Sequence, residues 1–81
     1  MTYDHKITGR VVRRLRRQRG MSQEVLSGLA DISRSHLAEI EAGRVHPTVE
    51  TLWKLAEALE LPLSKLFQLA EQEHRKETPY K

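Results

Sequence analysis

The segment QEVLSGLADISRSHLAEIE, residues 23–41, predicts two short helices joined by a tight turn. Apolar side chains recur at helical spacing in each half of the segment. They are Val25, Leu26, Leu29 and Ala30 in the first half, and Ile32, Leu37 and Ile40 in the second. Ser22 and Ser33 stand where a hydroxyl can accept from the free N–H groups of a first helical turn. Asp31 lies between the two helices, where a left-handed backbone is needed.

The second of these helices has one face left over for an external partner. Leu37 and Ile40 must face inward, so Arg34, Ser35 and Ala38 lie toward the other side. A helix presented in this way can enter a DNA major groove and touch base edges with its N-terminal residues. The pattern therefore indicates a helix-turn-helix unit in which the second helix carries the recognition.

The longer segment QEVLSGLADISRSHLAEIEAG resembles the helix-turn-helix of the lambda-repressor/Cro-type family, also called the xenobiotic-response-element type. Upstream, GRVVRRLRRQRGMSQ resembles the first helix of that family and its Gly-x-Ser-Gln junction. Downstream, GRVHPTVETLWKLAEALELPLSKLF resembles its fourth and fifth helices, so that about residues 7–69 are covered. The resemblance implies an all-α, five-helix lambda-repressor-like DNA-binding domain over residues 7–70. Residues 1–6 and 71–81 would then be polar terminal segments.

Three positions depart from the family pattern. Ser27 stands where alanine is usual, whereas Asp31 and Glu60 stand where glycine is usual. We expect the small Ser27 to fit, Asp31 to cost a little turn energy, and Glu60 to strain the junction that follows it. Gly28 inside a helix is a local weakness of about 1 kcal/mol relative to alanine.

Three further helices are expected around this unit. The first runs from about Ile7 to Arg19, where Gly20 ends it. The fourth runs from Val49 to Leu59, and the fifth begins at about Pro62. We expect the stripes that these helices bury to be Thr8, Val12 and Leu15, with Val11 at the edge; Val49, Leu52, Leu55, Ala56 and Leu59; and Leu63, Leu66, Phe67 and Ala70. The tail after Ala70 would add a turn or two and be loose after Thr78–Pro79.

Length and composition favour one small helical domain. The chain has 81 residues, of which 38% are hydrophobic and 31% charged. It has no cysteine, which excludes a disulfide scaffold and a thiolate site. It has no apolar run of membrane-spanning length and no apolar signal segment after Met1, so we expect a cytoplasmic protein.

Positive charge is concentrated at the start of the chain. The formal net charge is +3, but residues 1–20 contain seven basic residues and one acidic residue. Arg10, Arg13, Arg14 and Arg17 share one face of the first helix. A nucleic acid, an anionic membrane or an acidic partner could all use such an end. A membrane role is disfavoured, because the core needs the apolar stripe of this helix. For most of these arginines we expect a solvated face, with a phosphate-facing surface as the alternative.

The sequence offers little for catalysis. Its histidines do not combine with each other or with carboxylates at metal-ligand spacing on one helix face; they are His5, His36, His46 and His74. No glycine-rich phosphate loop, oxyanion hole or apolar pocket is evident. We therefore expect no catalytic residue, no metal, no cofactor and no small-molecule ligand.

The resemblance also implies roles for single residues. The positions that read bases in the family are occupied by Ser33, Arg34, Ser35 and Glu39. The positions that grip the DNA backbone are occupied by Gln23, Arg44 and His46. Arg16 matches a first-helix arginine that meets the acid at the end of the recognition helix, here Glu41, and also touches a phosphate.

A homodimer on palindromic double-stranded DNA is the expected assembly. Apolar residues are in surplus near the end of the chain, and we expect the following of them to form the dimer interface: Trp53, Leu66, Phe67, Leu69 and Ala70. Two-fold symmetry would place two recognition helices about one DNA turn, ~34 Å, apart. Small stand-alone members of the family include phage repressors, antitoxins and restriction–modification controller proteins, and the last match best in size.

A second class of function is a helical protein-interaction module that kept the fold but not the DNA contacts. Such a module would tend to lose Gln23, Arg34 and Arg44 together. All three are present, which favours a sequence-specific DNA-binding transcriptional regulator.

Overall fold

The computed structural model describes residues 3–77, which form five α-helices and no strand. The helices are α1 (His5–Gln18), α2 (Gln23–Ala30), α3 (Arg34–Glu41), α4 (Val49–Ala58) and α5 (Leu63–Glu77). The predicted all-α, five-helix fold is thus confirmed. Within these residues, every helix is too short or too polar to traverse a lipid bilayer.

Short polar side chains fix the starts of four helices. Asp4, Ser22, Ser33 and Thr48 each accept a hydrogen bond from a backbone N–H of the first turn that follows, at 2.9–3.1 Å. These bonds satisfy amides that have no partner inside the helix. The caps at Ser22 and Ser33 confirm the prediction for the starts of α2 and α3.

Two non-glycine residues adopt the left-handed backbone that their positions require. Asp31 ends α2 with a φ of 57°, and Glu60 follows α4 with a φ of 62°. Both stand where the family resemblance predicts glycine. Each therefore carries the steric cost of a Cβ atom in the left-handed region.

The core lies between all five helices. Its buried apolar side chains are Ile7, Val11, Val12, Leu15, Leu26, Ala30, Leu37, Ile40, Leu52, Leu55, Ala56, Leu59, Leu66 and Ala70. Val11, predicted at the edge of its stripe, has no exposed surface. Burial of these groups supplies the main stabilisation of so small a domain.

Three residues predicted in buried stripes are instead exposed. Val25 and Leu29 lie four residues apart on the outer face of α2, and Val49 lies at the start of α4. The buried stripe on α2 is narrow because this helix packs mainly against α3 and α4 and is open on its other side. Leu26 and Ala30 fill that contact, so the residues one position earlier are left in solvent.

The helices extend beyond the predicted domain boundaries of residues 7 and 70. α1 begins at His5 because Asp4 caps it, and α5 continues to Glu77. Two exposed ion pairs join this extension to α1: Arg10 with Glu77, and Arg14 with Glu73. Residues 5–6 and 71–77 are therefore helical, and the expected loose end after Thr78–Pro79 lies outside the described residues.

Candidate nucleic-acid interface

The recognition helix is anchored by its apolar face and open on the other. Leu37 and Ile40 of α3 have no exposed surface, whereas Arg34 and Ser35 at its N-terminus are exposed. Ser33 is exposed at the cap position directly before them. Three of the four predicted base-reading residues thus lie together at the N-terminal end of α3, where a helix in a major groove contacts base edges.

The fourth predicted base-reading residue, Glu39, forms an ion pair with Arg44, which is expected to contact the DNA backbone. Nη1 of Arg44 donates to Oε2 of Glu39 at 3.3 Å, and the Arg44 backbone N–H donates to the Glu39 carbonyl at 3.0 Å. The Arg44 side chain is largely in solvent and that of Glu39 is partly exposed, so the ion pair contributes less than about 1 kcal/mol. Breaking this ion pair to contact DNA would therefore cost little free energy, but a change at either residue also removes the ion-pair partner of the other.

Behind the recognition helix lies a buried hydrogen-bonded network. Nε and Nη2 of Arg16 donate to both carboxylate oxygens of Glu41, at 2.8 and 3.0 Å, and Nη1 donates to the Met21 carbonyl at 2.8 Å. Only 7% of Arg16 and 4% of Glu41 are exposed. The hydrogen bonds to Glu41 raise the pKa of Arg16, which keeps the guanidinium charged. The network ties α1 to the C-terminal end of α3.

This arrangement shows the expected pairing of Arg16 with Glu41 and limits what the side chain can offer to a phosphate. A guanidinium has five N–H groups, and three of those of Arg16 already donate within the protein. Its side chain is almost wholly covered, so little of it is left to meet a phosphate. The structure shows that Arg16 positions α3, and its contact with a DNA phosphate stays a prediction.

Gln23 joins the same network from the N-terminus of α2. Its Nε2 donates to Oε1 of Glu41 at 3.1 Å. An ionised carboxylate can only accept, so this contact fixes which end of the Gln23 amide faces the network. The Gln23 amide carries a second N–H, which is the donor that the expected phosphate contact would use.

His46 is expected to contact the DNA backbone. In the structure its ring packs against His5, which is far away in the sequence. Its ring lies against the His5 ring with centroids 3.6 Å apart, and Nε2 of His5 is 3.1 Å from the Gly43 carbonyl oxygen. The loop after α3 is thereby packed on the start of α1, with His46 still exposed. The sequence carried no signal for this contact, because the two histidines are 41 positions apart.

A basic groove runs between α1 and the helix-turn-helix, on the helix for which the sequence left a phosphate-facing surface as the alternative. Its lining residues are Arg13, Arg16, Arg17, Ser22, Gln23, Glu24 and Arg34. It connects the exposed arginines of α1 with the predicted phosphate contact Gln23 and the predicted base contact Arg34.

The expected dimer surface is only partly available. Leu66 is wholly buried and Ala70 is 7% exposed, which contradicts their assignment to an interface. The two residues are four positions apart, and this face of α5 closes the monomer core. Phe67 and Leu69 are half-buried, and the Phe67 ring meets the Tyr3 ring edge to face at 6.0 Å.

Trp53 remains exposed, with 56% of its surface in solvent. Val49 precedes it by one turn of α4 and is 66% exposed. Leu61 and Leu63 line a depression beside Trp53. The exposed Val49 and Trp53, with the half-buried Leu61 and Leu63, form the Trp53 surface.

Comparison with known proteins identifies a matching protein family and similar transcriptional regulators. A family model described as helix-turn-helix matches residues 12–66. A transcriptional regulator described as uncharacterised and HTH-type, y4dJ of Sinorhizobium fredii, is 43% identical over 54 residues, which are 67% of this chain and 70% of that protein. The HTH-type transcriptional regulator SutR of Escherichia coli is 42% identical over 53 residues, and the match spans only 30% of its length.

Solved structures agree with these matches. The restriction–modification controller protein C.AhdI from Aeromonas hydrophila superposes with a TM-score of 0.76 at 34% identity, over 79% of this chain and 97% of that one. The controller protein C.Esp1396I, solved as a tetramer with its natural 35 base-pair operator, has a TM-score of 0.81 over 90% of this chain and 96% of that one. Its identity is 22%, so that likeness concerns the fold alone. By its sequence matches and its architecture, the chain belongs to the helix-turn-helix family, in the Cro/C1-type group.

Proposed function

We propose that this protein is a sequence-specific, DNA-binding transcriptional regulator that binds palindromic operator DNA as a homodimer. The observation that carries this proposal is the presentation of α3. Leu37 and Ile40 fix the helix in the core while Arg34 and Ser35 project from its N-terminal end. The transcriptional regulators among its relatives support the same function. Its role is to bind DNA rather than to catalyse a reaction. We place it in the cytoplasm, which is the compartment that holds the DNA in a cell without a nucleus.

The proposed division of labour follows from the reach of each side chain. Arg34 in the first turn of α3 has a planar fork that matches O6 and N7 of guanine. Ser33 and Ser35 flank it and add contacts of low specificity, while Glu39 one turn further accepts from a cytosine N4. Gln23, Arg44 and His46 hold the sugar–phosphate backbone on either side of the groove, which sets the register of α3 without reading sequence. Those three residues are exposed or half-buried, as such contacts require.

Gel shift against a pool of random duplexes, at two stated salt concentrations, distinguishes a DNA-binding regulator from the alternative, a protein-interaction module. A regulator enriches a subset of duplexes and retains that preference as salt rises. A module that kept only the fold shows weak binding that is blind to sequence and disappears at the higher salt concentration.

Arg34→Ala should remove base discrimination, whereas Arg44→Ala should remove affinity alone. Loss of the guanine contact costs about 1–3 kcal/mol of discrimination at one symmetric pair of positions. Loss of a phosphate contact weakens binding to every sequence and lowers the salt slope by about 0.9 per contact, twice in a dimer. Selection of bound sites for each variant, together with salt titration, measures both effects.

Glu39→Ala is the necessary comparison, because Glu39 competes with Arg34 for the main reading role and also pairs with Arg44. Its removal frees Arg44, so we expect equal or tighter binding with a changed preference at no more than the adjacent base pair. The assignment fails if the Arg34 variant recovers the motif of the parent protein while the Glu39 variant does not.

The Trp53 surface is the proposed centre of the dimer interface, with Phe67 and Leu69 at its side. Trp53→Gln should weaken the dimer by about 2 kcal/mol, roughly 30-fold, which is typical of a buried interface tryptophan. Operator affinity should fall with it, while the thermal midpoint of the monomer should hardly move, because Trp53 makes few core contacts. Sedimentation at micromolar protein, with and without operator DNA, measures the association.

Leu29→Gln is the matched control for Trp53→Gln. Leu29 is equally exposed, at 61%, but it lies on α2, outside the proposed interface. This variant should associate like the parent protein. A parent that stays monomeric both alone and on operator DNA would remove the proposed interface.

A further inference from the structure

The four arginines on the outer face of α1 divide into two pairs. Arg10 pairs with Glu77 of α5, and Nη1 of Arg14 lies 2.9 Å from Oε1 of Glu73. The hydrogen bond from Arg14 is also the main cause that lowers the pKa of Glu73. α5 therefore neutralises one edge of the basic face, the edge that lies away from the helix-turn-helix.

Arg13 and Arg17 form the other pair. Both are exposed, and within residues 3–77 no carboxylate lies at salt-bridge distance from either. They line the basic groove together with Gln23 and Arg34. They also border the neighbouring depression beside Glu73, but that carboxylate is taken by Arg14.

The charge in the basic groove is not balanced by the protein itself. Arg16 is neutralised by Glu41, which leaves the guanidinium groups of Arg13, Arg17 and Arg34 against the single carboxylate of Glu24. Like charges collected on one surface repel each other, and a polyanion relieves that repulsion. A groove of this kind favours phosphate, because a guanidinium offers paired N–H donors in the geometry of phosphate oxygens.

We propose that Arg13 and Arg17 form a second phosphate-binding site, on α1, which holds the DNA backbone alongside the recognition helix. The site rests on the proposed function, and it adds two exposed arginines of α1 to the phosphate contacts expected of Gln23, Arg44 and His46. Arg13 and Arg17 are four residues apart, so they stand as neighbours on one helix face and can engage one strand together. The phosphate that Gln23 holds at the N-terminus of α2 lies along the same groove.

The test compares two double variants that change the same number of charges on the same helix. Arg13→Gln with Arg17→Gln removes the proposed contacts. Arg10→Gln with Arg14→Gln removes the pair that α5 neutralises. Each lowers the formal net charge from +3 to +1, so a purely long-range effect of charge would be the same in both. The single changes Arg17→Gln and Arg14→Gln repeat the comparison with less risk to folding.

The measured quantity is the slope of log affinity against log salt concentration, on the DNA site selected by the parent protein. Arg13→Gln with Arg17→Gln should lower this slope by roughly 3.6 per dimer, about 0.9 for each of four lost contacts. Its preferred sequence and its thermal midpoint should not change. Arg10→Gln with Arg14→Gln should leave the slope close to that of the parent.

Ethylation of single phosphates locates the contact on the DNA. Ethylation of certain phosphates should prevent the parent protein from binding, and these phosphates should be related by the two-fold axis of the operator. The same modifications should not hinder binding of the variant Arg13→Gln with Arg17→Gln. Equal slopes for the two double variants, or identical ethylation patterns for the parent and Arg13→Gln with Arg17→Gln, would overturn this inference and leave the proposed function intact. Absence of sequence-selective DNA binding by the parent protein itself would overturn the proposed function.

Discussion

Replacement of Glu41 with alanine should lower the thermal midpoint by more than 10 °C. The carboxylate accepts two hydrogen bonds from Arg16 and one from Gln23, in a site where Arg16 is only 7% exposed. Removing one partner of a buried pair leaves an uncompensated charge and costs about 3–5 kcal/mol. In a domain of this size, each kcal/mol moves the midpoint by about 4–8 °C. Thermal unfolding followed by circular dichroism measures the shift.

Two further variants separate burial from charge. Glu39→Ala breaks a more exposed ion pair only two residues earlier in α3, so it should cost less than about 1 kcal/mol. The double change Arg16→Met with Glu41→Leu removes both buried charges and should recover much of the lost stability. If Glu41→Ala melts within a degree or so of the parent protein, the buried network does not support α3.

Gly9→Ala should be about as damaging, for a reason of space alone. A Cβ atom at this position would lie 2.1 Å from the carbonyl oxygen of Ile40 and 3.1 Å from its carbonyl carbon. The obstacle is backbone, so α1 and α3 would have to move apart. We expect a loss of about 3 kcal/mol or more, at the upper end for overpacked cores. The midpoint of urea unfolding measures it, and DNA affinity should fall as well, because Ile40 anchors the recognition helix.

Gly28→Ala is the opposite case on α2. A Cβ atom there meets nothing within 4 Å, and the backbone is helical. Alanine should therefore raise the stability by about 1 kcal/mol through better helix propensity. Similar unfolding midpoints for the two alanine variants would show that α1 and α3 are not in close backbone contact.

The elements that local chemistry determines could be predicted from the sequence. Ser22, Ser33 and Asp31 mark the ends of α2 and α3 through hydrogen bonds and backbone geometry that involve only near neighbours. Leu37 and Ile40 follow from helical spacing, and with them the exposed face that carries Arg34. The order and number of helices followed in the same way, helped by the family resemblance.

What the sequence could not supply depends on where distant elements meet. The division of the α1 arginines requires α5 to continue to Glu77 and to lie along one edge of α1. The burial of Leu66 and Ala70 depends on the same packing, because helical spacing alone does not tell a core stripe from an interface stripe. Gly9 gave no signal in the sequence, since a glycine within a helix does not reveal which neighbour approaches it.

The central claim, sequence-specific binding by a symmetric dimer through α3, is tested most directly by selection of bound sites from random duplex DNA. We expect a palindromic motif with half-sites about one DNA turn apart, ~34 Å from centre to centre. A guanine at a symmetric pair of positions should depend on Arg34. Recovery of no enriched motif, or of a single unpaired half-site, would contradict the central claim.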